Sequence, residues 1–373
     1  MVAIDRSVKG VLLIAFVVVF SALAVATVLT RRPARELSAP EAWAAFDKQE
    51  FDRAASLFAA ALKERPRDPA LHFGAASAAR GSGNPRAALA SLRTAIELDP
   101  DFPEAHAMLG QIAYERGDTD LAIRSLEKAA ALRPRDRSIG ELLDRWRRES
   151  SVHGSYLEKP AEHFRILYEG GTQHSIGDRV AQVLEREYPR IGRTLNSFPR
   201  EPVTVILYSN REYHDITRSP SWSTGSYDGR IRVAIGGAVP SRELDRLVTH
   251  ELVHAFVASA ASRRIPTWLN EGLATYLEGS DASWTGPVLH NAATIVPLDA
   301  LIQGFNGLDE QTALVAYAES RVAAEILCSQ LGANIGAFLQ MVGDGRSVDD
   351  ALLEFQVQPN AFHAEWRRRV GLR

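Results

Sequence analysis

From Gly10 to Thr30 the chain runs for 21 residues without a charged side chain. As a helix this stretch measures about 31 Å, enough to cross a hydrocarbon core of about 30 Å. Beyond it the pattern changes to short amphipathic segments that repeat. Pro66, Pro100 and Pro134 recur at intervals of 34 residues, as do Ala54, Ala88 and Ala122, and again Ala61, Ala95 and Ala129. Phe58, Leu92 and Leu126 keep the same interval, while Gly83 and Gly117 mark turns between paired helices. Small alanines let the two helices of a unit approach closely, and proline ends the second. The pattern therefore predicts an all-α solenoid of three units over about residues 36–136. A helix from Ile139 to Arg148 caps it, since the end of a solenoid needs a polar outer face. The first unit fits least well, with Gln49 where the others have glycine.

After a linker at residues 151–161 the periodicity becomes mixed. Phe164–Tyr168 and Val203–Tyr208 are short apolar or β-branched runs that read as strands, with a helix from Asp178 to Leu195 between them. Ser226-Tyr227 and the run Arg230 to Ile235 flank Asp228-Gly229, the dipeptide of a two-residue hairpin turn. Pro240-Ser241 then offers a helix start, followed by Leu244, Leu247, Val248, Leu252 and Phe256 at helical spacing. Pro266 breaks the chain, and Leu269 to Leu277 reads as a second short helix.

The second of these regions carries the chemistry. His250-Glu251-Leu252-Val253-His254 places two histidines four residues apart, on one face of a helix, so that both can reach one Zn²⁺ at about 2.0–2.1 Å. Glu251 sits one step round, where it suits a base and not a ligand. Glu271, seventeen residues after His254, supplies the third ligand from the next helix. Two histidines, one carboxylate and an open fourth position describe catalytic zinc, not structural zinc.

The string from Thr249 to Gly279, including Trp268-Leu269-Asn270-Glu271-Gly272-Leu273-Ala274-Thr275-Tyr276, resembles the gluzincin metallopeptidases, most closely their bacterial peptidase MA-like branch. The likeness extends more loosely over about residues 160–373. It implies an α+β zincin-like metallopeptidase domain over residues 162–373, with a small twisted sheet above an active-site helix and a helical lower lobe. By position His250, His254 and Glu271 would be the zinc ligands and Glu251 the general base, with Thr275 supporting a ligand histidine. Tyr317, in a downstream helix where related gluzincins carry a tyrosine, is the candidate for stabilising the oxyanion, with Tyr276 and Tyr227 as rivals. The strand before the metal helix would be the sheet edge that an extended peptide joins, or else a plain hairpin whose edge is blunted by Arg230 and Arg232. The chain lacks the Gly-x-Met-Glu-Asn signature of gluzincin aminopeptidases, which favours an endopeptidase. Among the remaining histidines only His290 is placed to line the cleft. The 34-residue period resembles tetratricopeptide repeats, with Gly110 at their usual small-residue position; these imply either a docking surface for a protein substrate or partner, or a rigid spacer.

Composition narrows the picture. With 373 residues and 46 % apolar content the chain holds two domains with real cores. A net charge of −3 offers no basic footprint for nucleic acid. Cys328 is the single cysteine, so no intrachain disulfide forms and no lipid-attachment cysteine follows the apolar run. Arg6 and Lys9 before that run balance Arg31, Arg32 and Arg35 after it, so the orientation rule does not decide topology. Ala24-Val25-Ala26 resembles a signal-peptidase site, yet the unbroken length favours a retained signal-anchor within residues 1–35. The expectation is a single-pass protein of the bacterial inner membrane with its domains outside the cytoplasm. Two functions follow: a membrane-anchored zinc endopeptidase whose repeats present a protein substrate, or an envelope scaffold acting through its repeats with an inactive zincin module.

Overall fold

The computed structural model describes residues 39–48, 50–170, 173–217, 223–236, 241–261, 265–279, 281–305 and 308–371. The expected membrane segment, Gln49 and Pro240 lie outside these residues. Two compact units divide the described chain between Gly154 and Ser155.

The N-terminal unit is a run of antiparallel helix pairs: α1 (Pro40–Asp47), α2 (Phe51–Glu64), α3 (Pro69–Gly81), α4 (Pro85–Leu98), α5 (Pro103–Glu115), α6 (Thr119–Leu132) and α7 (Arg137–His153). Four of these helices begin with proline in the first turn, where a missing N–H is harmless, and Asp68, Asn84, Asp118 and Asp136 cap their helices through the side chain. Gly83 and Gly117 take φ of +68° and +85° in the turns between paired helices, a conformation that strains residues with a Cβ. At Gly110 an added Cβ would meet the Ala122 carbonyl oxygen at 3.0 Å, so α5 and α6 touch backbone to backbone. The period also repeats a polar contact. His72 Nε2 pairs with the Pro66 carbonyl at 2.8 Å and His106 Nε2 with the Pro100 carbonyl at 2.9 Å, each tying the first helix of one unit to the turn before it. The capping helix α7 is longer than its apolar spacing suggests. Trp146 stacks on Tyr114 at 4.4 Å, and the Tyr114 hydroxyl donates to the buried Glu149 carboxylate.

The C-terminal unit opens with β1 (Tyr156–Pro160), β2 (Phe164–Glu169), α8 (His174–Leu195), β3 (Val203–Tyr208), α9 (Asn210–Thr217), β4 (Gly225–Tyr227) and β5 (Ile231–Ala234). The strands form one sheet in the order β1-β2-β3-β5-β4, with β2, β3 and β5 parallel and β1 and β4 antiparallel at the two rims. The expected linker at 151–161 is therefore mostly structured: it holds the end of α7 and the edge strand β1. Helix α8 begins at His174, one turn before the expected Asp178. The hairpin differs as well. Tyr227 pairs with Ile231, leaving Asp228-Gly229-Arg230 as a three-residue connection with Gly229 at φ +100°. Strand β5 is internal and β4 is the edge, which corrects the expectation that β5 borders the sheet. Arg230 and Arg232 are buried, Arg232 against Asp228, so neither blunts an exposed edge.

Helix α10 (Ser241–Ala260) packs beside α8 and against β4 and β5. Arg179 of α8 grips Asp245 of α10 through two bonds of 2.8 Å. Next come α11 (Thr267–Leu277), α12 (Thr285–His290), α13 (Glu310–Leu331), α14 (Ile335–Gly343), α15 (Val348–Glu354) and α16 (Pro359–Val370), the helical lobe. Glu310–Gly343 is long and apolar enough to cross a membrane, but its most apolar window is 56 % buried inside the unit, as befits a core helix. Helices α11 and α13 cross where Gly272 meets the Ser320 carbonyl; an added Cβ would lie 2.2 Å from that oxygen.

Also on α13, the fully buried Glu319 accepts from the Val296 N–H at 2.9 Å through one oxygen, while the other lacks a hydrogen-bond partner. Burial raises its carboxyl to about 8, and the Val296 bond opposes this. A raised carboxylate pKa means that the folded state keeps a proton the unfolded state releases. The resulting stability is full below about pH 4 and is lost as pH rises through about 8. Glu319→Gln keeps the acceptor and removes the ionisation, so it is expected to raise Tm at pH 8 and leave Tm at pH 4 nearly unchanged in thermal unfolding.

Candidate metal centre

Helix α10 is apolar along the face that meets the sheet and α8, with Leu244, Leu247, Val248, Leu252 and Phe256 all buried. That packing fixes the helix in rotation and turns His250 and His254 together toward α11. Glu271 of α11 completes the group: one ligand atom from each of His250, His254 and Glu271 lies within 4.8 Å of the others. Glu271 Oε2 is 3.4 Å from His250 Nε2 and 3.8 Å from His254 Nε2. All three side chains are buried, at 1–3 % exposure.

The hydrogen bonding divides each ring in two. His250 Nδ1 pairs with Glu278 Oε2 at 2.9 Å, and His254 Nδ1 pairs with Asn270 Oδ1 at 3.1 Å. The Glu278 carboxylate and the Asn270 amide oxygen accept here, so both rings carry a proton on Nδ1 and turn Nε2 inward, where its lone pair is free whenever the ring is neutral. The inner atoms, His250 Nε2, His254 Nε2 and both Glu271 oxygens, have no hydrogen-bond partner. Buried polar atoms without partners are rare and call for an explanation. Two inward nitrogen lone pairs and a carboxylate at this spacing fit a divalent cation such as zinc.

Electrostatics agree. Burial alone would lower the His250 pKa, but Glu271 and Glu278 outweigh it and hold the ring protonated up to about 10. The cluster thus attracts one positive charge, here a proton, where a cation would sit. His254 is lowered, first by burial and also by the charge on His250. Burial pushes Glu271 up, yet His254, His250 and the Tyr317 hydroxyl together bring it below the usual range.

Glu251 is fully buried with both oxygens unpartnered, and burial raises its carboxyl to about 8. Tyr317 of α13 lies with its ring edge on Phe305, 4.8 Å between centroids, and its hydroxyl acts on Glu271. The structure thus brings Tyr317 to the cluster. Tyr276 carries the Arg321 guanidinium 5.4 Å from its ring centroid, and Tyr227 lies half-buried on β4. Thr275 does not support a histidine, for its hydroxyl is buried without a partner; Glu278 and Asn270 fill that role, and sequence reasoning missed both. Glu278 follows Glu271 by seven residues, two turns along the same face, which is the signal that could have found it. His290 ends α12 on the exposed surface, outside the cluster.

A second trio, Glu162, His163 and Glu185, also meets the spacing for a cation, which the sequence did not reveal for His163. Here the groups satisfy each other. Glu185 takes both the backbone N–H of His163 at 2.9 Å and its ring Nδ1 at 2.7 Å, and the ring stacks on Tyr188 at 3.9 Å. Half-exposed and paired, it reads as a surface ion pair.

A buried pair of helix-borne histidines with a carboxylate from the next helix, beneath a small mixed sheet, is the architecture of a peptidase-like module. Residues 190–370 match the Peptidase MA superfamily, and residues 40–82 and 73–137 match the tetratricopeptide repeat. Residues 190–370 thus form a Peptidase MA superfamily domain, preceded by repeats of a kind that mediates protein interaction. Among solved structures, the tetratricopeptide-repeat domain of Sgt2 from Aspergillus fumigatus is 22 % identical, covering 39 % of this chain and 97 % of that one, with a TM-score of 0.31. A comparison with curated proteins finds no match.

Proposed function

We propose that the protein is a membrane-anchored zinc endopeptidase, with residues 10–30 as the anchor, its domains outside the cytoplasm, and its repeats docking a protein substrate or partner. One observation carries the reading: His250 Nε2, His254 Nε2 and the Glu271 carboxylate converge, buried and unpartnered, beside the equally unpartnered carboxylate of Glu251. Zinc held by those three residues supplies Lewis acidity. Glu251 takes a proton from the attacking water onto its carboxylate and delivers it to the nitrogen of the leaving amine. Burial raises its proton affinity, which strengthens it as the acceptor of that proton. Glu278 and Asn270 keep the two histidine rings in the Nε2-inward tautomer.

Tyr317 donates its hydroxyl to the developing oxyanion. Removing such a donor typically slows catalysis by about 10²–10³-fold. Tyr317→Phe is therefore expected to lower kcat by that factor with zinc content unchanged; an unaltered kcat would pass the role to Tyr276 or Tyr227. The edge strand β4 receives the substrate. Thr224 turns its carbonyl inward to the Ala234 N–H at 2.8 Å, so by antiparallel alternation Gly225 turns its N–H outward, where an extended peptide would pair.

The test is metal content and its removal. Purified full-length protein should hold one zinc per chain after dialysis against a weak chelator, lose peptide hydrolysis with a strong chelator, and regain it with zinc. A folded protein that retains no metal would overturn the assignment.

A further inference from the structure

Gly225 is a glycine for reasons of space. Its φ is not positive, so backbone conformation does not require it. An added Cβ would stand 2.5 Å from Glu251 Oε1, 3.1 Å from Glu251 Cδ and 2.7 Å from Leu247 Cδ1. The bare main chain of the sheet edge therefore rests directly on the carboxylate of Glu251. A buried chain of hydroxyls pins this end of the strand: Tyr213 meets Ser223 Oγ at 3.0 Å, and Ser223 Oγ donates to the Gly225 carbonyl at 3.3 Å. Ala234 N–H, bonded to the Thr224 carbonyl, holds the other side.

We infer that Gly225 is a positioning residue that sets the register between a bound peptide and the proton-transferring carboxylate. This rests on the endopeptidase reading above. The argument joins two directions at one residue. Within the sheet plane, the carbonyl of the buried Gly225 accepts from Ser223 Oγ, and by the alternation of the ladder its N–H turns to the outer side, where an extended substrate would pair. Perpendicular to the plane, where its side chain would point, it meets Glu251. The peptide is thereby held at the residue under which the base lies, and the absence of a Cβ fixes their separation. Any side chain must push either the strand away from α10 or Glu251 away from the cluster. The zinc ligands lie outside this contact, so metal binding is spared.

The experiment compares Gly225→Ala with wild type and Glu251→Gln in the full-length, zinc-loaded protein. It reads zinc affinity, kcat and KM on a mixture of internally quenched peptides, and the affinity for acetohydroxamate, a metal-directed probe that shares its proton with a neighbouring carboxylate. Gly225→Ala is expected to keep zinc affinity within about threefold, lower kcat at least about 100-fold, and weaken acetohydroxamate about tenfold, matching Glu251→Gln in the last. Near-wild-type turnover and probe affinity in Gly225→Ala, with Glu251→Gln impaired, would overturn the role of Gly225 and leave Glu251 as base. Unimpaired Glu251→Gln would instead remove the reading beneath it. Leu247→Ala/Gly225→Ala guards against a folding defect by clearing the second clash and leaving the first. That double variant should fold and remain impaired; activity equal to Leu247→Ala alone would show that only core packing was at stake.

Discussion

Glu251→Gln is expected to lower peptide hydrolysis by about 10³–10⁴-fold while zinc content and thermal stability stay close to wild type. The substitution keeps volume and shape in a fully buried position. It removes the basic oxygen that accepts a proton from water and returns it to the leaving nitrogen. Neither Glu251 oxygen has a hydrogen-bond partner, so no hydrogen bond within the fold is broken. Burial pushes the group up to about 8, so removing an ionisable carboxylate from this site should, if anything, stabilise the fold at high pH. The measurement is kcat with zinc analysis on the same preparation. Hydrolysis within tenfold of wild type would take the proton transfer away from Glu251.

His250→Ala should abolish zinc retention and activity together, because two remaining groups, His254 and Glu271, do not hold a catalytic ion against a chelator. The deletion also leaves Glu278 buried without its ring partner, so some loss of stability accompanies it. Glu278→Gln separates the two effects. A glutamine oxygen still accepts from His250 Nδ1 and preserves the tautomer, but the negative charge behind the ring is gone. Groups behind a ligand histidine typically affect metal affinity by about 10–100-fold. That weakening, read by competition with a chromophoric chelator, is the expected result for Glu278→Gln, and wild-type affinity would reduce Glu278 to a packing partner.

Much of this was legible in the chain because it is locally encoded. The 34-residue period is imposed by the same packing problem solved three times, and it reads out as seven helices with the expected turns. The metal group was legible because two ligands and the base share one helix, where spacing fixes direction, and the third follows one break later. What was not legible depends on partners distant in sequence. The register in the sheet makes β4 the edge and β5 internal, and β4 has only three residues, too few for a period to declare itself. Arg230 and Arg232 look like surface charges until Asp228 is seen to pair with Arg232 across the hairpin. Residues 156–160 are mostly exposed, with Tyr156 and Lys159 half-buried, so no period of two declares the strand and the segment resembles a linker. The resemblance pointed to Thr275, one turn after Glu271, and gave no sign of Glu278. His250 approaches from a different helix, and the longer side chain one turn further along spans the gap.

The repeated pairing of His72 with Pro66 and of His106 with Pro100 is contained within six residues each time. Pro66 and Pro100 each follow the second helix of one unit, and His72 and His106 lie in the first helix of the next, so each contact fastens a junction between two copies. Six residues after Pro134 the chain has Gly140, which has no ring to offer. The fastening fails at the copy where the array stops and α7 takes over. A 34-residue cassette inserted ahead of Pro134 would therefore meet a fastened junction, whereas an insertion after it would meet one that lacks the fastening.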